Sequence, residues 1–107
     1  MVKFDEKMCL NFLEKNYNVT QHKQICDKLN AIYKAKNKDY GNSFHNSFIE
    51  YGLTMSAIRL GDKYNRFCNL IKNPQEVTDE SIKDTLLDLA NYAIMTVMEL
   101  DSKEKIK

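Results

Sequence analysis

Residues 79–100, DESIKDTLLDLANYAIMTVMEL, read as one long helix around which the rest of the chain is organised. On a wheel of about 100° per residue, Glu80, Asp84, Asp88, Asn91 and Met95 fall along one line. Ile82, Leu86, Leu89, Ala93, Val97 and Leu100 lie on the opposite side, and the flanking Leu87, Ala90, Tyr92 and Ile94 are mostly apolar. A helix apolar over so much of its girth is buried on more than one side. This predicts that part of it is covered by a second subunit, so that the protein is a homo-oligomer. The acids Asp79 and Glu80 suit the positive end of the helix dipole, with Thr78 or Asp79 as the cap.

Glu80, Asp84 and Asp88 stand four residues apart with no base on their line. Exposed like charges at that spacing repel by about 0.2–0.5 kcal/mol per pair. Something positive is therefore expected opposite them. Basic side chains of a neighbouring helix would serve, and so would a divalent cation, which prefers carboxylate oxygens.

The chain has 107 residues, enough for a single domain with one core, and a formal net charge of +1. With no strong basic excess, nucleic acid is not an expected partner. The three cysteines, Cys9, Cys26 and Cys68, form no CxxC pair and read as buried free thiols of a reducing compartment. The two histidines, His22 and His45, lack zinc-ligand spacing to them. The N-terminal stretch carries Asp5, Glu6 and Glu14 and reads as neither a signal peptide nor a membrane anchor. The expectation is a cytoplasmic protein.

Three glycines and one proline leave little room for tight turns, and no stretch alternates like a strand. The fold class is therefore all-α, a bundle of about four helices. A short helix is expected over 5–15, with Met8, Cys9, Phe12 and Leu13 inward, broken at Asn16–Asn18. Thr20 would cap a second helix to about Lys36, whose inner face is Ile25, Leu29, Ile32 and Tyr33. Residues 37–44, NKDYGNSF, read as a loop by composition. Phe44, Phe48, Ile49 and Tyr51 suggest a helical turn that ends at Gly52. Leu53 to about Lys72 is the third main helix, with Thr54 a possible cap. Its core face would be Ala57, Leu60, Tyr64, Phe67, Cys68 and Ile71. Pro74 sits in the connection to the last helix, and the charged tail 102–107 is expected to fray.

The third helix also carries a polar line, Arg59, Asp62, Lys63, Arg66 and Asn69. The short connection makes it an antiparallel neighbour of the 79–100 helix, so bases can face acids. In one reading, Arg59, Lys63 and Arg66 are salt-bridge partners of Glu80, Asp84 and Asp88, and Asp62 pairs with Arg66. In the other, Asp62, Glu80, Asp84 and Asp88 hold Mg²⁺ while the bases bind phosphates, with Asn91 as a neutral hydrogen-bonding group. The 39–44 loop has the same duality. Tyr40 and Phe44 could stack on a base that Asn42 and Ser43 read at its edge, or they could be the core aromatics of a capped turn. His45 reads as a surface or partly buried histidine, and Met55, Met95 and Met98 as core fillers.

Four motifs now come in order: Asp39-Tyr40-Gly41-Asn42-Ser43-Phe44; Tyr51-Gly52; Ile58-Arg59-Leu60-x-Asp62-Lys63-x-x-Arg66; and Glu80-Ser81-x-x-Asp84-Thr85-Leu86-x-Asp88-Leu89-Ala90-Asn91-Tyr92-Ala93. Together they resemble the nucleotide-modification-associated domain family, small helical proteins mostly of phages and bacteria. The resemblance covers about residues 21–101 and leaves 1–20 as an N-terminal extension. More distantly, the last motif resembles the MazG-like all-α nucleoside triphosphate pyrophosphohydrolases, whose metal-binding helix reads Glu-Glu-x-x-Asp with an Asn seven residues on. Glu80, Asp84 and Asn91 match. Ser81 replaces the second Glu, and Asp62 alone stands where that family offers Glu-x-x-Glu. The resemblance implies a helical bundle that often dimerises, Mg²⁺ and a nucleotide ligand, with Asp39 inside the matching loop motif.

The leading expectation is a Mg²⁺-dependent pyrophosphohydrolase of a (deoxy)nucleoside triphosphate. Asp62, Glu80 and Asp84 would be catalytic, Asp88 would complete the metal set, and Arg59, Lys63 and Arg66 would neutralise the phosphates. The alternative is a protein that binds or sequesters a nucleotide or cyclic nucleotide without chemistry. A third reading is an interaction module whose polar lines are only salt bridges.

Overall fold

The structure, a computed structural model, describes residues 6–40, 42–73 and 79–106; side chains 6–15, 39, 40, 79 and 103–106 fall outside the description. The side chains of the expected inward positions Met8, Cys9, Phe12 and Leu13 lie outside the description, as do Pro74 and the expected cap Thr78 altogether.

Four helices follow one another: α1 Glu6–Tyr40, α2 Ser43–Tyr51, α3 Leu53–Lys72 and α4 Asp79–Ile106. No strand occurs among the described residues. The expected all-α architecture is therefore correct. So are the bounds of α3 and the start of α4.

The expected break at Asn16–Asn18 is overturned, because α1 runs through it without interruption and Thr20 lies inside the helix. The reason is energetic. Asn and Tyr are only mildly unfavourable in a helix, at well under about 1 kcal/mol each, and neither Gly nor Pro is present to end it. The 37–44 loop also shrinks. Asp39 and Tyr40 belong to the last turn of α1, and α2 begins at Ser43. The 102–107 tail is helical to Ile106.

Gly52 forms the α2–α3 corner. It closes α2, its N–H reaching the Phe48 carbonyl at 2.7 Å, and it is also the N-cap of α3, in place of Thr54. Its φ of 66° and ψ of −151° belong to a region that only glycine occupies without strain.

The chain falls into two compact units, Met1–Lys34 and Ala35–Lys107. In the first, Lys23 donates to Asp27 one turn on at 2.9 Å, and Leu29 is buried. Ile25, expected inward, is exposed, and Cys26, expected buried, is exposed beside His22.

In the second unit α3 and α4 share the most extensive contact, and α2 packs on both. The helices turn unexpected faces to each other. On α3 the buried pair is Met55 and Ser56; Ala57, Tyr64 and Ile71 are exposed, and Leu60, Phe67 and Cys68 half-buried. On α4 the buried residues are Thr85 and Asn91, while Leu86, Ala93, Val97 and Leu100 face outward. Met55 is the core filler it was expected to be, but Met98 is exposed. The expected core face of α3 is thus only partly covered, and that of α4 is mostly exposed beyond Ile82 and Leu89. A wheel identifies faces without saying which one the chain itself covers.

Candidate polar site on α3 and α4

Two contacts fix the register of α3 against α4. Lys63 donates to Asp88 Oδ2 at 3.1 Å, and the Arg66 guanidinium donates through Nε to Thr85 Oγ1 at 3.3 Å. Three residues forward on α3 are three residues back on α4, so the helices are antiparallel, as their short connection suggests. Thr85 in turn donates to the Ser81 carbonyl one turn back, at 2.9 Å. This holds its oxygen with a lone pair toward Arg66.

Asp88 is the centre of the arrangement. Lys36, near the end of α1, donates to Oδ1 at 2.9 Å while Lys63 takes the other oxygen. Burial by itself pushes the Asp88 carboxyl up. The hydrogen bonds and charges of the two lysines outweigh burial and hold it below the ordinary carboxylate range. Lys36 and Lys63 thus share the Asp88 carboxylate, and Arg66 lies nearby on Thr85, three residues back along α4.

One turn beyond Asp88, about 6 Å along α4, stands Tyr92. Phe44 of α2 stacks on it, with ring centroids 6.0 Å apart and planes 25° from parallel. The register brings Arg59 to the level of Tyr92 on the α3 side, where it is exposed. A second tie of α2 to α4 follows, since His45 Nδ1 lies 2.8 Å from Glu99 Oε2. His45 is half-buried, as one reading of it allowed.

The expected site residues separate into groups. Lys63, Arg66 and Asp88 come together with Lys36 and Thr85. Phe44 stands against Tyr92. Asn91 is buried at 8% exposure and has a partner of its own. Asn42 and Ser43 are exposed at the start of α2, where the Asn42 carbonyl accepts from the Asn46 N–H. Asp62, Glu80 and Asp84 are exposed. The side chains of Asp39 and Tyr40 lie outside the description. Among the described residues, no group of three or more His, Cys, Asp or Glu side chains is gathered as metal ligands would be. Asp62, Glu80, Asp84 and Asp88 are thus not assembled as one ligand set. Asp88, the innermost, has its two oxygens on lysines.

Sequence reasoning missed Lys36, Thr85 and Tyr92. Thr85 and Tyr92 left a trace, as a polar interruption and an aromatic on an otherwise aliphatic helix. Lys36 left none, because its partner is 52 residues away. Missed too was the Ser56 hydroxyl, 2% exposed and without a hydrogen-bond partner among the described residues.

The model of the family described as nucleotide modification associated domain 1 matches residues 36–100. The match covers more than half of the chain, and the chain belongs to this family. It begins later than the 21–101 span of the motifs and nearly coincides with the second compact unit. No curated protein and no solved structure gives a significant match. Among the described residues no helix is long and apolar enough to cross a membrane.

Proposed function

We propose that this member of the nucleotide modification associated domain family binds a (deoxy)nucleoside triphosphate or a related nucleotide on the polar faces of α3 and α4. The observation that carries this reading is the pair of lysines on Asp88 with Arg66 beside them on Thr85. Lys63 donates to one Asp88 oxygen, and Arg66, exposed, adds a planar fork suited to phosphate oxygens. Arg59, exposed one turn along α3, extends the same line. Phosphates on Lys63, Arg66 and Arg59 would leave the base near the Phe44–Tyr92 pair, with Asn42 and Ser43 at the start of α2 able to hydrogen-bond its edge. Asp39 and Tyr40, in the last turn of α1, are proposed to border the same region. Asp88 then acts as an internal counter-charge that keeps the lysines in place before the ligand arrives.

The Mg²⁺-dependent pyrophosphohydrolase is the second reading. It is favoured by the exposure of Asp84 and Glu80, one and two turns from Asp88 on the same line of α4. In that reading Asp62, Glu80, Asp84 and Asp88 hold Mg²⁺, which supplies charge neutralisation and an activated water at the phosphate chain. Asp88 joins the set only by giving up a lysine, whereas Asp84 and Glu80 are exposed.

A thermal-shift screen of nucleotides with and without Mg²⁺ tests both. A ligand at about a hundred times its dissociation constant stabilises the native state by about 2.7 kcal/mol. Binding alone predicts a raised Tm without metal, which Lys63→Ala removes. A shift that appears only with Mg²⁺ and is removed by Asp84→Asn would move the conclusion to the metal-dependent reading. No shift from any nucleotide under either condition would sink both.

A further inference from the structure

On α4 Thr85 and Asn91 are buried and Asp88 half-buried, while much of the apolar side is left outside. Leu86, Ala93, Val97 and Leu100 are all exposed, Val97 to 56%, and Ala90 is half-buried between them. Ile94 and Met98 beside the stripe are exposed too. Met55 is the one buried apolar side chain described in the second unit. The other large apolar side chains described in the unit are half-buried at best, and a continuous apolar stripe faces solvent.

The positions 86, 90, 93, 97 and 100 alternate in steps of four and three, the spacing at which one helix seats side chains into another along its length. The stripe is also self-complementary when a second copy is laid on it head to tail. Leu86 then faces Val97 of the other copy, Ala90 faces Ala93, and the relations repeat in reverse across the two-fold axis. The alanines make a narrow waist where two backbones can approach closely. At the ends of the stripe, Lys83 of one copy falls opposite Leu100 and Asp101 of the other. Both Lys83 and Asp101 are exposed. A head-to-head arrangement would set Lys83 against Lys83 and Asp101 against Asp101. From Lys83 to Asp101 the stripe is about 27 Å long.

We infer that the outward face of α4 is the interface of a two-fold homodimer, antiparallel through Ala90 and Ala93 and closed at each end by a Lys83–Asp101 pair between copies. The occupant is a second copy of this chain, because both the apolar layers and the terminal charges complement themselves. The interface leaves the Asp88 side of the helix, where the nucleotide is proposed, uncovered.

The test is light scattering of the full chain at micromolar concentration, with charge reversal. Wild type should have about twice the 12.5 kDa mass of the chain. Lys83→Glu and Asp101→Lys each place like charges at both ends and should weaken association about tenfold or more. The double exchange should restore it. Both positions are exposed, so the fold tolerates the changes, and circular dichroism verifies this. Ala93→Asp, at the waist, should abolish the dimer. A wild-type mass of one chain overturns the proposal. So does a dimer indifferent to Ala93→Asp, or a loss in the single variants that the double exchange does not repair.

Discussion

Asp88 and Asp84 sit one turn apart on one helix line and should behave oppositely. Asp88 is held by Lys36 and Lys63 and its carboxyl is shifted down, so its folded form favours the ion. Its contribution to stability is therefore fully present above the unfolded carboxylate value of about 3.9 and is lost as pH falls through the lower folded value. Asp84 is exposed, one turn from Asp88 and one from Glu80. Asp88→Asn should cost about 1–2 kcal/mol at neutral pH, since it leaves two lysines facing each other without their counter-charge. Asp84→Asn should be neutral or slightly stabilising, within about 0.5 kcal/mol. Urea unfolding of the two variants at pH 7 and pH 3 checks this; the Asp88→Asn deficit should shrink at the lower pH. Equal effects would mean that the lysine contacts contribute nothing. The Lys63 contact could be foreseen, since a line of bases on α3 faces a line of acids on α4. That Asp88, rather than Asp84 or Glu80, would be the one engaged could not, because it depends on the register of two helices.

The helices themselves were legible where composition changes sharply. Gly52 marks the α2–α3 corner, and α3 begins on the next residue and ends at Lys72 as expected. Where composition changes only gradually, the reading failed. Asn16–Asn18 and Asp39–Tyr40 favour turns as isolated residues, yet both lie in α1, because a helix already nucleated extends through mildly unfavourable residues. Glycine is required at position 52 by backbone conformation alone. A Cβ placed there meets nothing within 4 Å, so any penalty is torsional rather than steric crowding. Gly52→Ala should thus destabilise by about 1–3 kcal/mol without disturbing neighbouring side chains. Thermal unfolding measures it, and a loss below about 0.5 kcal/mol would show that the corner relaxes freely.

At the scale of the molecule, periodicity and scarce glycine and proline were enough for an all-helical chain, and the ordered motifs were enough for the family. The inward faces were not legible, because a helical wheel separates faces without saying which one the neighbouring helices cover. Leu86, Val97 and Leu100 are apolar yet exposed, whereas Thr85 and Asn91 are buried and Asp88 is half-buried between two lysines. The central claim is that this inner cluster and the adjoining aromatic pair take the two ends of one nucleotide. Calorimetric titration of a nucleoside triphosphate and of tripolyphosphate, against wild type, Lys63→Ala and Tyr92→Ala, tests it most directly. Lys63→Ala should weaken both ligands by about 1–3 kcal/mol, as the loss of a charged hydrogen bond does. Tyr92→Ala should weaken only the ligand with a base, by about 1–3 kcal/mol. Equal losses for the two ligands on Tyr92→Ala, or binding untouched by Lys63→Ala, would contradict the account.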